Sequence, residues 1–181
     1  MFGDCRQAGR PQGGDDLKRL YGRAFRFGDN VNTDYIISGK YKFKTLDMDE
    51  LSKHVMEDIR PDFYQEVEKG DFVVAGENFG SGSSREQAPL VIKAAGIGAV
   101  IAGSFARIFF RNAINVGLPV IECDTSQIEE GDELQVDLER GWVYDVTKDI
   151  RVPSTPLPAV MVRILNDGGL AEHLKKHGGF S

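Results

Sequence analysis

Cysteine is scarce in this sequence of 181 residues, which contains only Cys5 and Cys123. Two thiols are too few for a disulfide framework or a four-cysteine metal site, so most ligands of any iron–sulfur cluster or structural zinc would lie elsewhere. Long apolar runs are also missing: none approaches the roughly 20 residues of a membrane span, and the N-terminus lacks the apolar core of a signal peptide. We therefore expect a cytoplasmic protein without a membrane partner.

Positive charge is the second shortage. The chain has 28 acidic and 22 basic residues, which gives a formal net charge of −6. Nucleic acids and anionic membranes attract concentrated lysine and arginine, so neither is an expected partner. The hydrophobic fraction of 41% and the charged fraction of 28% are typical of a globular chain. The length fits one compact domain.

The first residues of the chain differ in composition from the rest. They are rich in glycine and basic side chains, and we predict that residues 1–22 form a disordered extension and residues 23–181 form the folded domain. Strand-like and helix-like segments then alternate, and they fall, in chain order, at 23–27, 71–75, 84–95, 98–102, 104–115 and 118–122. This order predicts an α/β fold with a mainly parallel sheet covered by helices, followed by a β-rich C-terminal part.

The sequence GENFGSGSSREQ joins a predicted buried strand to a predicted helix. In an open parallel sheet, ligands bind at this end of the strands. Gly80 and Gly82 support such a site because glycine allows positive φ values and close approach of a ligand. Ser83 and Glu86 have the capping-box spacing, and the free N–H groups of the helix start, together with Arg85, are able to hold a carboxylate or phosphate. The alternative is a glycine-rich turn that only starts a helix.

Common glycine-rich motifs fail at a decisive position of this turn. A P-loop requires a lysine after its last glycine, and none follows Gly82. The dinucleotide fingerprint and the serine-hydrolase elbow both require a glycine where this chain has Arg85. The turn therefore belongs to a different kind of anion site, or to none.

Three stretches resemble the small subunit, or swivelling domain, of the aconitase and 3-isopropylmalate dehydratase superfamily. They are FGDNVNTDYIIS at 27–38, VVAGENFGSGSSREQAPLVIKAAGIGAVIAGSFARIFFRNAINVGLPVIE at 73–122, and ILNDGGLAEHLKKHGGF at 164–180. The resemblance covers nearly the whole chain beyond the extension. It implies a three-layer swivelling-domain fold.

The resemblance also implies one subunit of a hydro-lyase that dehydrates a hydroxy acid and rehydrates it at the neighbouring carbon. The leading function is the conversion of 2-isopropylmalate to 3-isopropylmalate in leucine biosynthesis, by a heterodimer whose small subunit is active only with the large one. The large subunit is implied to hold a 4Fe–4S cluster on three cysteines, where iron acts as a Lewis acid on the departing hydroxyl. This chain itself is implied to bind no metal or cofactor.

The superfamily assigns roles to residues of the GSSRE sequence. Its first serine is the base that moves the carbon-bound proton, and it matches Ser83. Ser84 and Arg85 match residues that hold a substrate carboxylate. Thr33 and Asp34 match a Thr-Asp signature close to the active site. Asp34 either orients Arg85 and the serine turn, or forms an Asx turn or helix cap.

The segment YKFKT at 41–45 falls where the superfamily keeps its substrate-discriminating loop. Phe43 turned inward favours an apolar substituent, whereas Lys42 or Lys44 turned inward favours a third carboxylate. The alternative leaves both lysines in water, their commoner environment. The substrate is thus expected to be a small hydroxy-di- or tricarboxylic acid.

Two further functions are alternatives to the leading one. One is the small subunit of homoaconitase or of 2,3-dimethylmalate dehydratase, which only the segment 41–45 and an assay distinguish from the first. The other, of a different class, is a non-catalytic module that binds a carboxylate or phosphate. Ser83 weighs against the module because binding alone needs no base.

Other candidate side chains are interpreted as structural. His173 and His177 are spaced as i and i+4, which suits a metal but also the cation-favouring end of a helix, and no metal ligands are predicted. Cys123 is interpreted as a small buried apolar residue. Ser104 and Arg107 are interpreted as capping and buttressing the helix that follows them.

Overall fold

The structure is a computed structural model that describes residues 19–41 and 44–179. Its strands are β1 (Arg19–Arg26), β2 (Phe72–Ala75), β3 (Ala99–Ala102), β4 (Val120–Glu122), β5 (Glu133–Asp137), β6 (Trp142–Asp145) and β7 (Ile150–Pro153). Its helices are α1 (Thr33–Ile36), α2 (Met48–Ser52), α3 (Phe63–Glu66), α4 (Gln87–Ala94), α5 (Arg107–Val116), α6 (Ala159–Asn166) and α7 (Leu170–His177). No helix within the described residues is long and apolar enough to cross a bilayer.

One mixed sheet organises the described residues. Its seven strands lie in the order β4-β3-β2-β1-β5-β6-β7, with parallel pairing from β4 to β1 and antiparallel pairing from β1 to β7. Every residue of β2 and β3 is buried, as parallel strands covered on both faces require. The predicted α/β class and the β-rich C-terminal part are confirmed. The sheet is evenly mixed rather than mainly parallel, because the C-terminal strands extend the same sheet beyond β1.

Strand β1 begins earlier than predicted. Arg19 lies opposite Asp137, and Gly22 lies opposite Leu134, in the antiparallel pair with β5. The boundary after residue 22 is therefore wrong for residues 19–22, which the ladder with β5 orders. The remainder of the predicted extension, which includes Cys5, lies outside the described residues.

The hydrophobic core passes through the parallel half of the sheet and the helices beside it. Phe72 of β2 and Ile101 of β3 are fully buried, and Phe109 of α5 is almost fully buried. Phe63 of α3 packs edge-on against Phe25 of β1, with 5.3 Å between ring centroids. Burying side chains of this size contributes about 1.5–3 kcal/mol each. The buried parallel strands thus fix the positions from which the loops at their carboxyl ends leave the sheet.

Candidate active site

Three loops meet at the carboxyl ends of β1, β2 and β3. The Gly80 N–H donates to the Val31 carbonyl at 2.7 Å, and the Phe79 N–H donates to the Ser104 carbonyl at 3.0 Å. These bonds tie the loop after β2 to the loops after β1 and β3. The GSGSSRE turn is therefore held between α1 and the start of α5, at the edge where open parallel sheets bind ligands.

Gly80 and Gly82 shape the turn in different ways. Both have positive φ, +80° and +94°, as the sequence predicts. A Cβ on Gly80 would stand 2.2 Å from Cγ of Phe109 in α5, whereas the nearest atom to a Cβ on Gly82 would be Asn32 Cβ at 3.5 Å. Gly80 thus permits close packing of the turn on α5, while Gly82 provides only the backbone conformation.

Thr33 contacts the hydroxyl of Ser83. Its Oγ1 donates to the Ser83 carbonyl at 2.9 Å and lies 3.3 Å from Ser83 Oγ. A threonine hydroxyl has a single proton. Because that proton is directed to the carbonyl, the Ser83 hydroxyl is the donor in the contact between the two oxygens. Thr33 is buried and Ser83 is exposed, so the serine lies at the rim of the site on a buried support.

The predicted capping box is wrong. Helix α4 begins at Gln87 rather than at residue 84, and its N-cap, Glu86, makes no side-chain cap hydrogen bond. Ser83 is held by Thr33, and the Arg85 N–H bonds to the Ser83 carbonyl at 2.8 Å, so the chain here forms a turn. The serine therefore does not lie at the first N–H groups of the helix, and the cation of its own turn is Arg85, which is paired with Asp34.

Arg85 joins the serine turn to α1. Its Nη2 lies 2.6 Å from Asp34 Oδ1, and its Nη1 donates to the Ile37 carbonyl at 3.1 Å. The cap of α1 is Asn32, whose side chain accepts from the N–H groups of Asp34 and Tyr35. Of the two alternatives for Asp34, the structure therefore has the contact with Arg85. These bonds hold the guanidinium at the mouth of the site, with its side chain one-fifth exposed.

The turn borders a cleft of about 320 Å³. One wall carries six residues that the sequence predicts for the site, Thr33, Gly80, Gly82, Ser83, Ser84 and Arg85. The other wall is the start of α5, with Ala106, Arg107, Ile108, Phe109 and Asn112. The sequence predicts a structural role for Arg107; only its place in the motif stretch 73–122 indicates its nearness to the site.

Ser104 and Arg107 do not cap α5. The N-cap is Ala106, which offers no side-chain cap. Ser104 instead accepts from the Asn78 N–H at 2.8 Å and donates to Glu77 at 2.5 Å, so it fastens the loop that leaves β2. Arg107 is exposed and lines the cleft.

The described residues of the segment 41–45, which was predicted to discriminate substrates, do not line the cleft. Lys42 and Phe43 lie outside the described residues. Lys44 is exposed and is not among the lining residues; its Nζ lies 5.6 Å from the centre of the Tyr41 ring. Tyr41 in turn donates to Glu57. Burial opposes ionisation of Glu57, but hydrogen bonds from Tyr41, His54 and Lys40 outweigh it and lower its pKa to about 2.

The two C-terminal histidines lie outside the cleft. His173 Nδ1 and His177 Nε2 contact Asp167 Oδ2 at 2.7 and 2.9 Å. Lys176 Nζ lies 2.8 Å from the other oxygen of Asp167. Hydrogen bonds from Lys176 and then His173 lower the pKa of Asp167. The three residues are close enough to share a metal ion, but the ammonium on the same carboxylate opposes a dication.

Cys123 has no place in the site chemistry. It is buried at the end of β4, and burial raises the pKa of its thiol to about 12. A thiol of this kind is protonated at neutral pH and is a poor nucleophile. The interpretation of Cys123 as a buried apolar residue is confirmed.

The chain belongs to the aconitase C-terminal domain family, whose model matches residues 28–126. Its fold, with a serine–arginine turn at the carboxyl ends of parallel strands, is that of a dehydratase small subunit from this family. These comparisons confirm the family and the class of enzyme predicted from the sequence.

Relatives with the same extent give the more particular comparison. A 3-isopropylmalate dehydratase small subunit of Archaeoglobus fulgidus is 57% identical over 88% of this chain and 97% of its own. A methanogen homoaconitase small subunit of Methanothermobacter thermautotrophicus is 53% identical over 87% of this chain and 91% of its own. The crystal structure of 3-isopropylmalate dehydratase (LeuD) from Methanocaldococcus jannaschii has a TM-score of 0.85 and 48% identity, and covers 88% of this chain and 95% of that one.

Proposed function

We propose that this chain is the small subunit of 3-isopropylmalate dehydratase and that, with a large subunit, it converts 2-isopropylmalate to 3-isopropylmalate in leucine biosynthesis in the cytoplasm. The observation that carries the proposal is the cleft that brings the Ser83 hydroxyl and the Arg85 guanidinium together. A hydroxyl able to move a proton and a cation able to hold a carboxylate are the two groups that such a subunit must supply.

Ser83 is the proposed base. As an alkoxide, its Oγ takes the proton from one substrate carbon during dehydration, and the C–H electron pair forms the double bond as the hydroxyl leaves the neighbouring carbon. On rehydration the hydroxyl adds to the first carbon, and Oγ returns a proton to the neighbouring one. A serine hydroxyl is a poor base unless its alkoxide is stabilised. Thr33 supports that step, because its hydroxyl proton can rotate from the Ser83 carbonyl to the Ser83 alkoxide, both within 3.3 Å.

Arg85 and Ser84 are the proposed carboxylate ligands. Arg85 uses one N–H for Asp34 and one for the Ile37 carbonyl. A guanidinium has five N–H donors, so three are left for a substrate. Asp34 and Ile37 fix the plane of the guanidinium before the substrate arrives, which lowers the ordering cost of a two-point contact.

The cluster is proposed to lie on the large subunit. The sequence has two cysteines, and Cys123 is buried as a protonated thiol. This chain therefore does not fit a three-thiolate site, and no step is assigned to a cofactor held by it. We expect the purified chain to be colourless and inactive until the large subunit is added.

One alternative substrate, homoaconitate, is almost as well supported by overall similarity as isopropylmalate. The identity to the homoaconitase small subunit, 53%, is near the 57% to the isopropylmalate enzyme, so overall similarity does not choose between them. In the described residues the cleft presents Ile108, whose side chain is half exposed, and Lys44 is outside it. An apolar contact of this kind favours a branched alkyl substituent over a further carboxylate, and so favours isopropylmalate.

The test is an anaerobic hydratase assay with a reconstituted large subunit, using isopropylmalate, homoaconitate and 2,3-dimethylmalate as substrates. Turnover of isopropylmalate above the others, and none by this chain alone, supports the proposal. Preference for homoaconitate would show that homoaconitate, and not isopropylmalate, is the substrate. Stable binding of a carboxylate without turnover in the mixture would leave only a binding module.

A matched pair of variants tests the base. Ser83→Ala removes a hydroxyl at the cleft, whereas Ser81→Ala removes one that does not line it. We expect Ser83→Ala to lower kcat by about 10²-fold or more with little loss of stability, and Ser81→Ala to keep wild-type turnover. Half the wild-type rate in Ser83→Ala would remove this residue from the mechanism.

A further inference from the structure

Arg107 is a second cation in the cleft. It is the first residue of α5, it is exposed, and it lines the wall opposite the serine turn. Arg85 and Arg107 are the charged residues of the lining, and no carboxylate is among the lining residues. The described cleft is thus positive in a chain whose net charge is −6.

The two guanidiniums differ in how their charge is compensated. Arg85 is paired with Asp34 at 2.6 Å, so the two together bring almost no net charge to the cleft. Arg107 has no ion pair or side-chain hydrogen bond with any of the described residues. The positive charge of the cleft therefore comes from Arg107.

The position of Arg107 is unfavourable unless an anion is near. It occupies the first turn of α5, where the helix dipole disfavours a cation. Ala106 leaves the first N–H groups of this ten-residue helix without a side-chain cap. A bound carboxylate would relieve both costs, because it would pair with the guanidinium and accept from the free N–H groups.

We propose that Arg107 binds the second carboxylate of the substrate, while Arg85 and Ser84 bind the first. This inference rests on the proposed function, since it takes the substrate to be a hydroxy acid with at least two carboxylates. The substrate then lies across the cleft with its reacting carbon near Ser83. Arg107 is in this account a binding residue and takes no part in proton transfer.

The test compares Arg107→Gln with Arg111→Gln in the enzyme reconstituted with its large subunit. Arg111 lies one turn further along α5, is exposed, and does not line the cleft, so the control makes the same change of charge on the same helix. We expect Arg107→Gln to raise KM about 10- to 100-fold, the range for a lost charged hydrogen bond, with kcat within about threefold. Arg107→Lys should recover part of the loss, and Arg111→Gln should match the wild type.

An inhibitor series gives a readout that a merely structural role would not move. A dicarboxylate inhibitor such as malate should bind Arg107→Gln more weakly by a similar factor, whereas the monocarboxylate lactate should be little affected. An unchanged KM in Arg107→Gln, or equal loss for malate and lactate, would overturn the inference. So would a KM that recovers at saturating large subunit, because Arg107 would then act in subunit association.

Failure of the proposed function gives a different result. In that case neither the wild-type mixture nor a mixture with any of the variants turns over isopropylmalate. The same comparison of KM values is then made with homoaconitate or dimethylmalate, each of which has at least two carboxylates. The role of Arg107 is thus tested with any substrate that the enzyme accepts.

Discussion

Substituting Gly80 by alanine tests whether the serine turn packs directly on α5. The new Cβ would stand 2.2 Å from Cγ and 2.4 Å from Cβ of Phe109. Rotating the ring cannot relieve the second contact, because the Cβ of Phe109 is fixed to the helix backbone. The helix must shift, and overpacking of this kind costs about 1–3 kcal/mol. The positive φ of +80° adds about 1–2 kcal/mol for a residue with a side chain.

Gly82→Ala is the matched control. Its φ of +94° gives a similar backbone cost, but the nearest atom to the new Cβ would be at 3.5 Å, an ordinary contact. We expect Gly80→Ala to be less stable than Gly82→Ala by about 1–3 kcal/mol in urea unfolding. For a chain of this size, the corresponding difference in Tm is about 2–12 °C. In the reconstituted enzyme, Gly80→Ala should also lose more activity, since a shift of α5 carries the second wall of the cleft with it.

The comparison has a clear contrary outcome. Equal losses of stability in the two variants would mean that the backbone conformation alone explains both glycines. A loss below about 1 kcal/mol in Gly80→Ala would mean that Phe109 does not lie against the turn. Either result would refute the geometry on which the two-walled cleft depends.

Three further predictions concern the contacts around the turn. Thr33→Val should lower kcat of the reconstituted enzyme about tenfold or more with little change in KM, and Thr33→Ser should restore it, because only a hydroxyl can donate a hydrogen bond to the Ser83 alkoxide. Equal kcat in both variants would contradict this role of Thr33. Arg85→Lys should raise KM about tenfold, since a lysine lacks the planar fork that binds a carboxylate at two points while it contacts Asp34 and the Ile37 carbonyl; an unchanged KM in steady-state kinetics would show that charge suffices. The pKa of Glu57 is lowered from 4.5 to about 2, so its bonds stabilise the fold above pH 4.5 and that contribution is lost as the pH falls towards 2. Glu57→Gln should therefore lower stability at pH 7 in urea unfolding, and should flatten the decline between pH 4.5 and 2; an unaltered acid profile would contradict the assignment.

Local sequence pattern was sufficient for the features that depend on neighbours along the chain. Apolar runs gave the buried strands β2 and β3, because a strand covered on both faces needs only apolar side chains. The glycines before Ser83 indicated a turn with positive φ, which no other residue adopts as readily. The GSSRE and Thr-Asp motifs indicated the family, which the family model and the relatives confirm.

Only the tertiary structure decided the features that join distant segments. The ladder between Arg19 and Asp137 places residues 19–22 in the sheet and makes the sheet mixed, and no local composition reports such a pairing. The capping spacing of Ser83 and Glu86 was overridden because contacts of Thr33 and Asp34 with the turn delay α4 until Gln87.

The second wall of the site is also a tertiary feature. Arg107 follows Arg85 by more than twenty residues, and its pattern indicates only a helix start. The packing of Phe109 against Gly80 brings the two guanidiniums to one cleft. Sequence alone thus predicted which groups carry the chemistry, whereas long-range packing determined which of them line the same cleft, because the lining of a cleft depends on all the elements that meet there.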